Sequence, residues 1–287
     1  MDKSSALKKL ECIENLPTLP VIIRQIQTVI DNPVSNMAQI ATIITRDQAI
    51  AARVVRLVNS AFYGFSGRIS SIQQAIMLLG LNTVKNLVIG VSVVKTFESR
   101  TDATVFDRHR FWLHSFGCAT VARQMAKRLN LEEPEDFFMA GLLHDIGILI
   151  LDQFFHEEFI AILGRTVKIK AESIIAESEI LGLNHCEVGN FIAEKWKIPE
   201  LFKTAIRLHH RPNFPEIENE RIRRIVAAIH IADVVVSSRG ITPGYSCTAS
   251  LSETAMQITG LKTGTAEEIF DSVEGELKKV MADWGIR

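Results

Sequence analysis

His144 and Asp145 stand side by side at the centre of the apolar run AGLLHDIGILIL, residues 140–151. A helix that is apolar all round is a buried helix, and a buried carboxylate is expensive unless something pairs with it. Asp145 therefore needs either a protein partner or a cation. Other His and Asp residues in the second half of the chain sit in similar surroundings. His114 follows Phe111-Trp112-Leu113, His185 opens HCEVGNFIAEKW, His209 and His210 end AIRLHH, and Asp233 lies inside IVAAIHIADVVV. Imidazole nitrogens and carboxylate oxygens together suit one or two divalent transition ions (Fe, Mn, Zn, Ni or Co), and a carboxylate has two oxygens with which to bridge a pair. A single His on an apolar helix is more often a hydrogen-bonded core residue; the same placement in several separate segments is the pattern of a metal centre. His109, His156 and His230 lack that support and read as surface or packing residues. Cys118, on the same helical face as His114, and Cys186, next to His185, read as packing residues beside the pocket. No serine or cysteine has the context of a nucleophile, so a hydrolytic reaction here would use water on the metal.

These side chains must be brought together by helices. Consecutive helical residues point roughly 100° apart, so His209 and His210 do not naturally face the same way. Pro212 pushes the residue before it out of helical geometry, so the helix should end near His210–Arg211 and leave both rings in its last turn, where the helix end favours a cation. Gly147 is expected to loosen the chain just after the His-Asp pair. Apolar spacing predicts helices near 22–30, 36–45, 47–60, 71–79, 108–129, 135–150, 170–182, 186–196, 198–210, 220–238 and 264–283. Asp47 is expected as an N-cap, Ser70 with Gln73 as a capping box, and Gly80 and Asn82 as the C-cap and N-cap of a tight turn into a strongly apolar helix. No alternating strand is found, so the expected class is all-α. The polar stretch 98–110 marks the expected boundary between an N-terminal helical lobe, 1–105, and a second lobe, 106–287, that carries the metal residues.

Bulk properties narrow the partners. With 32 Lys+Arg against 33 Asp+Glu, the net charge is −1, which gives no electrostatic case for nucleic acid or membrane. The four cysteines are far apart and form no C-x-x-C pair, so a disulfide framework or zinc knuckle is not expected. The N-terminus has no signal-type apolar core, and the span between Lys85 and Lys95 is too short to cross a bilayer. The expectation is a cytoplasmic protein. The helical turn at Gly80, the aromatic residues Phe62, Tyr63 and Phe65, and the basic residues Arg221, Arg223 and Arg224 read as a plain hairpin, packing and a solvated helix face.

At the metal residues the chain resembles the HD superfamily of metal-dependent phosphohydrolases, whose name describes a pair like His144-Asp145. By similarity to its HD-GYP phosphodiesterase branch, His114, His144 and Asp233 would hold one ion, His185, His209 and His210 a second, and Asp145 would bridge them. The segments LPTLPVIIRQI, LVNSAFYGFSGRISSIQQAIMLLGLNTVKNLV and AGLLHDIGILIL resemble the HDOD family, the HD-related output domains of bacterial signalling proteins, over about residues 12–212. Residues 213–287 then form a helical extension. Two departures separate the chain from the phosphodiesterase branch: Ile148 stands where that branch has Lys, and HHRPNFPEIENER replaces its Gly-Tyr-Pro segment. The resemblance implies a regulatory signalling module that keeps a binuclear centre and works through a signalling protein partner or a small phosphorylated or nucleotide ligand. The alternative is an active phosphohydrolase acting on a phosphoester or nucleotide.

Overall fold

The computed structural model describes residues 1–13, 25–26, 29, 37–60, 63–65, 67–97, 106–131, 133–169, 172–211, 217–244 and 250–286. Among the described residues there is no strand, and the protein is all-α. The helices are α1 (Lys3–Glu11), α2 (Met37–Arg46), α3 (Gln48–Val58), α4 (Ile72–Leu79), α5 (Leu81–Phe97), α6 (Arg108–Arg128), α7 (Pro134–Leu143) and α8 (Ile146–Phe154). They continue as α9 (His156–Ile169), α10 (Ser173–Leu181), α11 (His185–Lys195), α12 (Glu200–Leu208), α13 (Glu220–Ser238), α14 (Glu253–Thr259), α15 (Thr265–Val273) and, after one 3-10 turn, α16 (Leu277–Asp283).

The chain forms two compact units, Pro17–Asp102 with Lys278–Arg287, and Met1–Leu16 with Ala103–Leu277. The two chain ends thus group differently from a linear division into 1–105 and 106–287. Most of the expected helix at 22–30, Phe62, Pro212 and the stretch 98–105 lie outside the described residues.

In the smaller unit, α2 to α5 pack on one another. Asp47 caps α3 by accepting from the Ile50 backbone N–H at 3.0 Å. The cap of α4 is Ser71, not Ser70, and it accepts from Gln74 N–H; Ser70 is tied instead to the Gln74 side chain. Gly80 ends α4 at φ 82°, a conformation that suits glycine. The next helix starts at once, so Asn82 lies inside its first turn rather than capping it. The Asn59 side chain bonds both the N–H and the carbonyl of Ile69, closing the loop between α3 and α4.

In the larger unit α6 is the axis, packed against α7, α13 and α15; α8 lies on α11, α11 on α12, and α12 on α13. Two glycines set the close approaches. A Cβ on Gly141 would fall 2.6 Å from Ala119 Cα, and a Cβ on Gly147 would fall 1.9 Å from the His185 carbonyl oxygen. Gly147 therefore serves contact between α8 and α11. The expected single helix at 135–150 is in fact two, broken at His144–Asp145, where Asp145 has φ −99° and ψ 11°. The stretch Pro134–Phe154 is long and apolar enough by composition to cross a membrane, yet 89% of its most apolar window is buried inside the fold. Arg108 at the start of α6 reaches the buried Asp152 carboxylate of α8 at 2.6 Å. Helices α1, α9 and α14 were not expected from spacing, and the expected helix at 264–283 is interrupted by the 3-10 turn Glu274–Glu276.

Candidate metal centre

The helix break puts Asp145 among four imidazoles. Its Oδ2 lies 3.2 Å from His144 Nε2 and 3.6 Å from His114 Nε2. Its Oδ1 lies 3.3 Å from His185 Nε2 and 3.4 Å from His209 Nε2. One carboxylate oxygen thus faces each pair of rings. Asp233, from α13, approaches His114 Nε2 at 3.2 Å through Oδ1, and its Oδ2 is 3.9 Å from His210 Nδ1. All seven residues singled out by type and spacing share this one place in the larger unit.

The rings are held from behind. His144 Nδ1 is 2.7 Å from the Gly141 carbonyl, His114 Nδ1 is 2.9 Å from the Ile241 carbonyl, and His209 Nδ1 is 3.0 Å from the Ile206 carbonyl. His185 Nδ1 is 2.8 Å from the buried Glu177 carboxylate. An imidazole that donates from Nδ1 leaves a lone pair on Nε2, and all four Nε2 atoms point at Asp145. Oriented rings of this kind are the usual support of metal-binding histidines.

His209 caps the end of α12, and its ring binds the carbonyls of that helix's last turn. The His209 and His210 rings lie with centroids 4.2 Å apart, so the helix end does bring both to one place. Behind them, His230 accepts from Ser252 N–H through Nε2 and donates from Nδ1 to the His209 carbonyl, which makes it a positioning residue.

Electrostatics follow from burial and crowding. Burial alone would raise the Asp145 pKa, but His144, His185 and His209 outweigh it and hold the carboxyl well below its usual range. Burial opposes charge on His185 and His209, yet Cys186 and Asp145, joined at His185 by Glu177, outweigh it, keeping His185 well above the ordinary imidazole value and His209 up to about 10. Burial and the neighbouring His209 push His210 well down. Cys186, though buried, is drawn down to about 7 by His185 and His209, whereas burial pushes Cys118 up to about 11.

The donor set fits a metal. His144 Nε2, Asp145 Oδ1, His210 Nδ1 and Asp233 Oδ2 are buried without a hydrogen-bond partner. The gaps of 3.2–3.6 Å between Asp145 and the rings are longer than a charge-assisted hydrogen bond of about 2.7–2.9 Å. They match the separation of two N/O donors on one ion, about 3.3 Å for bonds of about 2.0–2.1 Å at tetrahedral angles. Three overlapping groups have donor atoms within 4.8 Å of one another: His185, Cys186, His209 and His210; His114, Cys118, His144 and Asp233; and His144, Asp145 and His209.

Some positions around the site have no metal-binding role in the sequence reading. Glu177 lies in SIIAESEIL, eight residues before His185, and its only signal is an acid on an apolar helix. The Cys186 and Cys118 sulfurs each face an imidazole at 3.5 Å. Glu187 completes the capping box with Asn184 that fixes the start of α11. Ile148 is buried in the core, so no cation occupies that position. Arg221, Arg223 and Arg224 pair with Asp136 and Glu220 on the surface.

Comparison with known proteins agrees with this architecture. The HDOD domain model matches residues 16–212, and the chain belongs to that family. An HDOD domain protein of unknown function from Geobacter sulfurreducens has the same fold, with a TM-score of 0.76, 26% identity, and coverage of 98% of this chain and 96% of that one. A Shewanella amazonensis SB2B protein provisionally assigned as a phosphohydrolase shares the fold at a TM-score of 0.73 and 24% identity, over 98% of each chain. An uncharacterized Treponema pallidum protein is 27% identical over 206 residues; the match spans 71% of this chain and 39% of that protein's length.

Proposed function

We propose that this chain is a regulatory module of bacterial signalling type, cytoplasmic, whose larger unit holds a binuclear divalent-metal centre. In this reading His114, His144 and Asp233 hold one ion, His185, His209 and His210 the other, and Asp145 bridges them. The observation that carries it is the split of Asp145, with each oxygen turned to a different pair of histidines whose far nitrogens are already tied. A hydrogen-bonded core would need one partner for that carboxylate, not four imidazoles whose Nε2 atoms all turn inward.

A cleft of about 130 Å³ touches the edge of the centre at Cys186 and His210, and Arg207 and Arg211 are also part of its lining. Both arginines are exposed at its mouth. Guanidinium groups favour phosphate, and a cleft of this volume has room for a phosphoryl group. In this reading the chain works through a signalling protein partner or through a small phosphorylated or nucleotide ligand whose phosphoryl group enters the cleft.

An active phosphohydrolase is the second reading, supported by the full donor set. The ions would supply Lewis acidity at a phosphoester oxygen and an activated water. The buried Ile148 speaks against it, since a cation at that position would balance charge on the reacting phosphoryl group.

Metal analysis by inductively coupled plasma mass spectrometry on tag-free protein tests the centre. One to two equivalents in the parent and none in Asp145→Ala support it. An empty parent after incubation with Fe, Mn and Zn removes it, and turnover of phosphoesters by the loaded parent would favour the second reading.

A further inference from the structure

The geometry points to Cys186 as a thiolate ligand that closes one of the two metal positions. This rests on the metal-centre reading above and adds a donor to it. Cys186 Sγ lies 3.5 Å from His185 Nε2 and 3.9 Å from His209 Nε2, and it belongs with His185, His209 and His210 to one group of donor atoms within 4.8 Å of one another. A sulfur at about 2.3 Å and a nitrogen at about 2.0–2.1 Å on one tetrahedral ion are about 3.6 Å apart. The observed separations are of that size.

Charge gives the second reason. The group around His114 has a carboxylate of its own in Asp233, while His185, His209 and His210 are neutral donors with only a share of Asp145. A divalent ion in so buried a place is better balanced by more negative charge than that; Glu177 acts from behind His185, and Cys186 is the further negative donor whose own atom belongs to the group. Cys118 Sγ, by contrast, meets one imidazole nitrogen, in the group that already has its carboxylate. On metal binding the Cys186 sulfur exchanges its proton for the ion, and the proton leaves to solvent, so no oxidant or reductant is needed.

Two consequences follow. A thiolate shifts preference toward zinc and away from Mn, which favours harder oxygen donors. Three imidazoles, a thiolate and the shared Asp145 oxygen also give that ion five donors and leave no place open, and filled positions are structural, whereas catalytic ones keep a place open.

Cobalt substitution tests this in the full chain. The Co(II)-loaded parent is expected to show an intense near-ultraviolet sulfur-to-cobalt charge-transfer band, kept in Cys118→Ala and lost in Cys186→Ala and Cys186→Ser. X-ray absorption on the zinc-loaded parent needs no variant and is expected to find one sulfur at about 2.3 Å. A parent that binds cobalt and zinc without that band and without a sulfur neighbour overturns the thiolate ligand and leaves the metal centre standing. So does a band that survives in Cys186→Ala. A parent that binds no metal overturns both.

Discussion

The Glu177 carboxylate accepts two hydrogen bonds from one residue, His185: the backbone N–H at 2.7 Å and ring Nδ1 at 2.8 Å. A fully buried acid on α10 thereby fixes both the start of α11 and the direction of the His185 ring. Loss of such an outer partner typically lowers metal affinity about 10–100-fold. Glu177→Gln, which keeps one acceptor, is expected at the low end of that range, and Glu177→Ala at the high end with a further loss of about 1–3 kcal/mol in stability. Competition with a chromophoric chelator and urea unfolding measure the two effects. Unchanged affinity in Glu177→Ala would mean that His185 is not a ligand.

Gly147 and Gly164 predict opposite outcomes for the same substitution. At Gly147 the new Cβ meets the His185 carbonyl, backbone that has no flexible end to move, so Gly147→Ala should cost at least ~1–3 kcal/mol and release metal. At Gly164, inside α9, a Cβ meets nothing within 4 Å, and Gly164→Ala should stabilise by roughly 0.5–1 kcal/mol with metal content unchanged. Denaturant midpoints with metal analysis on both variants check the pair.

Removing bound metal is expected to change the sign of the pH dependence. Without metal, burial is outweighed at His185 and His209 by their anionic neighbours, and both folded pKa values lie above the unfolded value of about 6.5. Their contribution to stability is then complete below about pH 6.5 and is lost as pH rises toward the folded value, about 10 for His209. With metal bound the rings must be unprotonated, so binding strengthens as pH rises. Chelator-treated protein should therefore be more stable at pH 6 than at pH 9, and metal-loaded protein should gain least from the ion at pH 6. Melting temperatures across this range, with and without metal, test the crossing.

A centre that binds the folded state alone stabilises it. At free metal about 100-fold above Kd the gain is about 2.7 kcal/mol, seen as a rise in Tm on loading. Asp145→Ala should show no such rise.

The arginines at the cleft should affect ligand and not metal. Arg207→Ala and Arg211→Ala are expected to weaken pyrophosphate binding measured by calorimetry, the double variant more than either alone, with metal content at the parent level. Equal binding by parent and double variant would remove the cleft as the ligand's entrance.

Residue type and apolar setting were enough to pick out His114, His144, Asp145, His185, His209, His210 and Asp233, because charge in an apolar run is a local anomaly visible in one dimension. The cap at Asp47 rests on near neighbours and was legible for the same reason, whereas the caps expected at Ser70 and Asn82 were not, the chain starting α4 after Ser71 and α5 at Leu81. The break at His144–Asp145 was not, since the run AGLLHDIGILIL has good helical composition and its interruption places Asp145 among rings from α6, α11 and α12. Nor was the role of Gly147, whose reason is a carbonyl on another helix, or of Glu177 and Cys186, whose partners are decided by packing. Which atoms a buried carboxylate faces depends on contacts between residues far apart in the chain. Sequence marked Asp145 as a carboxylate in need of a protein partner or a cation; tertiary structure decided which imidazole nitrogens face it and which sulfur lies beside them.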